Sequence, residues 1–295
     1  MPYESPTKDI LTTVPCNQLS GETIMSTDQY LGFVGAGNMA SALIKGLLES
    51  GVYDREHLLA ADKDEAALKR ISDSFGIRCY PSNLTIASLC TILLLAVKPQ
   101  QIEEALGELE EAITDHHLVI SIAAGIPLTM IRDTVGKDIP LIRVMPNTPA
   151  LVQKGVSALA AGELAGPEHM DIARTIFGAV GETVEVEETA MDAVTALSGS
   201  GPGYVFRMME CLVEAGVQNG LKEETSLNLV VQTFLGAAHL AKTSDDSLSH
   251  LRRKVTSPGG TTAAGLAVLE EKGLREMIME AVNAACARSR ELGKR

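Results

Sequence analysis

From residue 30 to residue 145 short apolar runs alternate with longer amphipathic stretches, and no other feature of the chain restricts its fold as tightly. The apolar runs are "YLGFV" (30–34), "HLLAAD" (57–62), "GIRCY" (76–80), "TILLLAV" (91–97), "HLVISI" (117–122) and "PLIRVM" (140–145). Runs of this length without polar alternation read as strands buried on both faces of a parallel sheet, with the intervening stretches as crossover helices. Further strands are expected at 155–161 and 183–187, around a helix at about 167–180. After residue 187 the strand signals stop. The rest reads as helix, with a break at "SGSGPG" (198–203), helices over 203–218 and 223–242, and a long Ala/Leu/Glu-rich stretch after residue 262.

The first strand runs directly into "GAGNMASALIKGLLESG", whose helical pattern spans Asn38–Ser50 and stops at Gly51. Gly35, Gly37 and Ala40 therefore lie on a strand-to-helix turn. The first glycine permits the tight turn, the second lets a pyrophosphate approach the backbone, and the alanine keeps helix close to strand. Such a turn alone is common. Here a second strand ends in an acid, Asp62, about 25 residues after the glycines, where a dinucleotide's adenosine ribose hydroxyls find an acceptor. That acid favours NADH slightly over NADPH, while the adjacent Lys63 could neutralise a 2′-phosphate. The expected fold is thus an α/β Rossmann-type dinucleotide-binding domain over 30–187, followed by an all-α domain over 188–295. Strand ends run into Lys98-Pro99, Ala123-Ala124-Gly125 and Pro146-Asn147-Thr148-Pro149. Ligands of open α/β sheets bind outside this carboxyl edge, and the small residues at 123–125 would let a flat ring lie on the backbone.

A second turn, "VTSPGGTT" (255–262), joins two helical stretches with far more specialised residues than a connection needs. Ser257, Gly259, Gly260, Thr261 and Thr262 lead into a helix whose free amides, with glycines allowing close approach and flanking hydroxyls, suit a small anion such as a carboxylate. The competing explanation is that Thr261 or Thr262 only caps the helix.

Composition narrows the partners. A net charge of −13 argues against nucleic acid and against an anionic membrane surface. The longest apolar run is too short to span a bilayer. Five scattered cysteines without a C-x-x-C suggest neither a disulfide framework nor a zinc site, which fits a cytoplasmic location. Residues 1–29 read as a disordered leader, with Met25 as an alternative start. The apolar faces of the second half look too broad for a lone small domain, and a dimer would cover them.

The stretches "FVGAGNMA" (33–40), "LLLAVKPQ" (93–100), "SIAAG" (121–125), "RVMPNTP" (143–149), "DAVTALSGSGPGYVF" (192–206) and "VTSPGGTT" (255–262) occur in the order found in the pyrroline-5-carboxylate reductase family, which the chain resembles from about Tyr30 onward. The last two are the most specific. The resemblance implies reduction of 1-pyrroline-5-carboxylate to L-proline by hydride from NADPH or NADH, in an all-α dimerisation domain joined to a Rossmann domain, with dimers that can build decamers. It implies cofactor contacts from Val34, Gly35, Ala36, Gly37, Asn38 and Met39. It adds Asn83, then Ala96, Val97, Lys98 and Pro99, then Ile122, Ala123 and Ala124. It assigns the substrate carboxylate to the 257–262 turn, places Thr262 opposite the ring nitrogen as the candidate catalytic group, and puts Glu188 near the substrate. No metal is implied. The chain departs from the family at Asp62, where Ser or Arg is frequent, and at Lys254, where Asn is frequent. The nearest enzymatic rival, a β-hydroxyacid dehydrogenase, would need a Lys-x-x-Asn, and none occurs. A nucleotide-sensing protein without turnover would have no need of the second turn.

Overall fold

A computed structural model describes residues 29–293; the leader segment and Met25 lie outside the described residues. The described residues form two compact units, one made of those up to Gly199 together with those from Ala285, the other Ser200–Ala284.

The first unit is built on an eight-stranded sheet in the order β3-β2-β1-β4-β5-β6-β7-β8. Its strands are β1 (Leu31–Val34), β2 (Leu58–Ala61), β3 (Arg78–Tyr80), β4 (Ile92–Leu95), β5 (Leu118–Ser121), β6 (Leu141–Met145), β7 (Gly155–Ala161) and β8 (Gly181–Glu185). The first six are mutually parallel where they pair. The helices between them are α1 (Asn38–Ser50), α2 (Glu65–Phe75), α3 (Asn83–Leu89), α4 (Ile102–Leu109), α5 (Leu128–Val135) and α6 (Pro167–Gly178). Side chains alternate across the sheet and build two cores. Leu31, Phe33, Leu58 and Ala60 meet Leu43, Ile44 and Leu47 of α1 and Ile176 and Phe177 of α6. Val34, Leu59, Leu93 and Leu95 meet Ile86 of α3, Ile102 and Leu106 of α4, and Ile131 of α5. Both faces are covered, which is why the strands carry no polar alternation.

Four local expectations are corrected. The sheet is not parallel throughout, because β7 runs antiparallel to β6 and β8 then runs parallel to β7. The short connection from Met145 to Gly155 has no room for a crossover, so the chain turns back. The last strand spans Gly181–Glu185, two residues before the 183–187 expected. The helix α3 was not expected at all. It is seven residues long and follows Pro81 and Ser82, too short to show a clear apolar period. Finally, the break at 198–203 is narrower than "SGSGPG" suggests. A π-type turn covers Thr195–Gly199, and helix resumes at Gly201 with Pro202 in its first turn, where a missing N–H costs nothing.

The remaining helices are α7 (Met191–Val194), α8 (Gly201–Gln218), α9 (Glu223–Thr243), α10 (Leu248–Lys254), α11 (Thr261–Glu271) and α12 (Leu274–Leu292). Strand character ends near residue 187, but residues 188–199 and the end of α12 pack with the sheet unit. Ser289 Oγ donates to Asp192 Oδ1 at 2.6 Å. A Cβ on Gly125, after β5, would approach Leu292 Cβ to 2.9 Å. In the second unit α8 lies against α9 so closely that a side chain on Gly216 would overlap Ser226 Oγ, which donates to Val213 O at 3.0 Å. Among the described residues no helix is long and apolar enough to cross a membrane.

Candidate functional site

At the carboxyl edge of β1, β2 and β4 lies a cleft of about 280 Å³. Its floor follows from one turn. Gly35 has φ +107°, and a Cβ there would stand 2.8 Å from the carbonyl carbon and oxygen of Ala96. Only glycine lets the chain leave β1 so close to the end of β4. Gly37 differs. It is the N-cap of α1 in extended backbone, and a Cβ would meet nothing within 4 Å. Neither backbone nor packing demands glycine at this position. What it leaves is space beside the unpartnered first-turn amides of α1, a cradle that fits a pyrophosphate.

Asp62, at the end of β2, faces this turn. Its Oδ2 accepts from Ala36 N at 2.7 Å and its Oδ1 from Asp64 N at 2.9 Å, while Asp64 caps α2 through Ala66 N and Ala67 N. Lys63 does not swing freely, since its Nζ lies 2.6 Å from a carboxylate oxygen of each of Glu104 and Glu108 on α4. Those bonds raise the Lys63 ammonium above the usual lysine range, Glu104 contributing most. The same contact, Lys63 first, holds the Glu108 carboxyl below its usual range, against the opposing effect of burial.

The cleft brings together Gly35, Ala36, Gly37, Asp62, Asn83, Ala96, Val97 and Lys98 of the expected cofactor residues. Val34 is the buried last residue of β1, Asn38 and Met39 open α1, and Pro99 starts a short 3-10 turn before α4. Ile122, Ala123 and Ala124 follow β5 along the same sheet edge, outside the cleft itself. Sequence reasoning missed Arg70, Gln101 and Glu104, which also line it. The i, i+4 spacing of Glu104 and Glu108 on a helix starting just after Lys98-Pro99 was the available signal.

Also in the sheet unit, Glu188 Oε1 accepts from Leu128 N, the first residue of α5, at 2.7 Å. Arg143 Nη1, on β6 and 7% exposed, lies 3.4 Å from the same oxygen. Asn147 joins Val156 N to Ser198 Oγ and so braces the end of β6.

In the helical unit the 255–262 turn links α10 to α11. Gly260 is the N-cap of α11 and has no side chain to cap with. Thr261 and Thr262 are the first helical residues, so neither is the cap, contrary to the competing sequence explanation. A side chain on Gly260 would overlap Ser257 Oγ. Gly259 is left-handed at φ +69°, and Gly260 N donates to Ser257 O at 3.0 Å. Thr256 Oγ1 is committed to Arg252 O at 2.6 Å. Among the described residues Ser257, Thr261 and Thr262 are exposed, and no partner takes their hydroxyls. The turn thus carries three exposed hydroxyls beside a helix N-terminus. Lys254 pairs with Asp246. Among the described residues no cluster suits a metal ion.

Comparison with known proteins agrees with this geometry. Residues 188–292 match the family model for pyrroline-5-carboxylate reductase dimerisation, and residues 30–125 match that of coenzyme F420-dependent NADP oxidoreductases. The pyrroline-5-carboxylate reductase of Methanosarcina acetivorans is 43% identical over 268 residues, covering 91% of this chain and 99% of its own. The solved structure of a pyrroline-5-carboxylate reductase from Coxiella burnetii superposes with a TM-score of 0.85 at 38% identity, covering 91% of this chain and all of that one. That of the Plasmodium falciparum enzyme with NADP bound gives 0.82 at 34% identity, covering 90% and 99%. Similarity at this level over nearly the whole length leaves one conclusion: the chain belongs to the pyrroline-5-carboxylate reductase family.

Proposed function

We propose that this chain reduces 1-pyrroline-5-carboxylate to L-proline with NADH or NADPH, in the cytosol, as the last step of proline formation. The observation that carries the reading is the pair of receptors: an open glycine cradle at Gly37 and a hydroxyl-rich helix start at 257–262. The reduced nicotinamide, when bound, supplies hydride to C5 of the imine, and the ring nitrogen gains a proton from water or arrives already protonated.

The protein's part is to bind and align. Residues 34–39, Asp62, Asn83 and 96–99 hold the dinucleotide, and Ile122, Ala123 and Ala124 give the nicotinamide a flat backbone to lie on. The amides at the start of α11, with Ser257, Thr261 and Thr262, hold the substrate carboxylate between glycines 259 and 260. Thr262 orients the ring nitrogen, and Glu188 supplies negative charge suited to an iminium. Residues 30–187 form the cofactor half and 188–295 the substrate and dimerisation half, with decamers as the larger assembly. Asp62 inclines the cofactor choice toward NADH.

Cofactor absorbance should fall only when the cyclic imine is added; turnover of 2-hydroxy acids without the imine would overturn the proposal. Ser257→Ala and Thr262→Ala should raise the KM for the imine about ten- to a hundred-fold, as expected for a lost hydrogen bond to a charged group, with little change in the KM for cofactor. Equal effects on both constants would reduce the turn to a structural role.

A further inference from the structure

A carboxylate that does not itself line the cleft ties two of its lining residues together. Glu108, near the end of α4, holds two cleft residues at once. Lys63 Nζ lies 2.6 Å from its Oε1, and Asn83 Nδ2 donates to its Oε2 at 2.7 Å. Glu104, one turn earlier, takes Lys63 as well, at 2.6 Å.

Two consequences follow from elementary chemistry. An ionised carboxylate only accepts, so the end of the Asn83 amide turned to Glu108 is its NH2. Asn83 is nearly buried and lines the cleft, so its carbonyl oxygen, an acceptor, is the end left for a ligand. The Lys63 charge, meanwhile, is matched by two carboxylates. Asp62 adds a further acceptor whose direction is set by Ala36 N and Asp64 N. Acceptors satisfy hydroxyl groups. A 2′-phosphate carries only acceptor oxygens and up to two negative charges at neutral pH, so it gains nothing from the Asn83 oxygen and finds no free cation in Lys63.

Resting on the reading of this cleft as a nicotinamide dinucleotide site, we infer that Glu108 is a positioning residue that sets cofactor choice. By turning the Asn83 NH2 toward itself, so that the amide oxygen is the end left for a ligand, and by adding with Glu104 a second carboxylate to Lys63, it favours the 2′-hydroxyl of NADH over the 2′-phosphate of NADPH. Arg70 also lines the cleft and, among the described residues, has no carboxylate within ion-pairing distance. With Lys98, it is one of two lining cations that Glu108 does not touch and that a 2′-phosphate would turn to.

Equilibrium binding in the absence of imine tests this without turnover. Kd values for NADH, NADPH and 2′,5′-ADP are measured on the full chain, on Glu108→Gln and on Arg70→Ala. Wild type should bind NADH more tightly. Glu108→Gln should tighten NADPH and 2′,5′-ADP about five- to ten-fold, the scale of one partly exposed charge contact, while leaving NADH unchanged or weaker. Adding Lys63→Met to Glu108→Gln should cancel the gain. Equal weakening of both nucleotides by Glu108→Gln, which a merely structural role predicts, would overturn the inference. So would a wild-type preference for NADPH that Arg70→Ala abolishes and Glu108→Gln does not move. If wild type binds neither dinucleotide, the reading of the cleft itself fails, and the inference with it.

Discussion

Two glycines a residue apart do opposite things. Gly35 is demanded by the chain, through its positive φ and the Ala96 carbonyl beside it; Gly37 is demanded by nothing the chain itself contains. Gly35→Ala should therefore destabilise the fold by about 1–3 kcal/mol, the cost of a strained backbone conformation, and lower the Tm. Gly37→Ala should lower the Tm by a few degrees at most, the cost of alanine at an N-cap where no packing changes, yet weaken dinucleotide binding. Thermal melts and binding titrations on the same samples separate the two, and equal losses of stability would refute the distinction. Cys90 offers a second residue-scale test. Burial pushes its thiol up to about 12, the Arg78 charge acting in the opposite direction. A raised thiol pKa means that the associated stability is fully present below the ordinary value of 9.0 and is lost as pH rises toward 12. Iodoacetamide should leave Cys90 unmodified in the native protein at pH 8 and modify it after unfolding, as mass spectrometry would report.

Among the elements, α5 and the α8–α9 pair show how single side chains set helix positions. The start of α5 is held by Glu188 through Leu128 N, with buried Arg143 on the same oxygen. Glu188→Gln keeps the shape but removes the charge opposite Arg143. It should cost about 1–3 kcal/mol in denaturant unfolding, the scale of a hydrogen bond to a charged group. A change below a few tenths would show that the pair contributes nothing. The α8–α9 contact depends on the absence of a side chain at Gly216. A methyl there must displace Ser226 Oγ from its bond to Val213 O and crowd Ser226 Cβ, so Gly216→Ala should lower the Tm although alanine is the better helix former.

The whole molecule is uneven in a way that points beyond one chain. The sheet unit has two extended cores, whereas in Ser200–Ala284 the one buried residue is Ser226. Phe206, Leu212 and Leu235 there are 60%, 50% and 62% exposed. Helices with such apolar faces are stable when another surface covers them, and the dimerisation family matched over 188–292 indicates self-association. Sedimentation at micromolar concentration should give a dimer or a multiple of one, and dilution to nanomolar should cost helical signal along with mass. A monomer that keeps its helicity would refute this.

The sequence by itself determined the six parallel strands, the turn at 35–37, the acid at 62 and the presence of a helix after the second glycine turn, though not its first residue, because each is written in local periodicity or in residues adjacent along the chain. The change from α/β to helical character near 187 was legible for the same reason. Only the tertiary structure decided what pairs across distance. It reversed β7, carried the end of α12 back to Asp192, and placed Leu128 and Arg143, 60 and 45 residues away, on one oxygen of Glu188. It also put Glu108 on Asn83, 25 residues earlier, across a helix too short to announce itself. Local patterns are fixed by backbone geometry and by which face each side chain must bury. The partner of a charged or amide group depends on which strand ends the sheet order brings together, and no local period encodes that order.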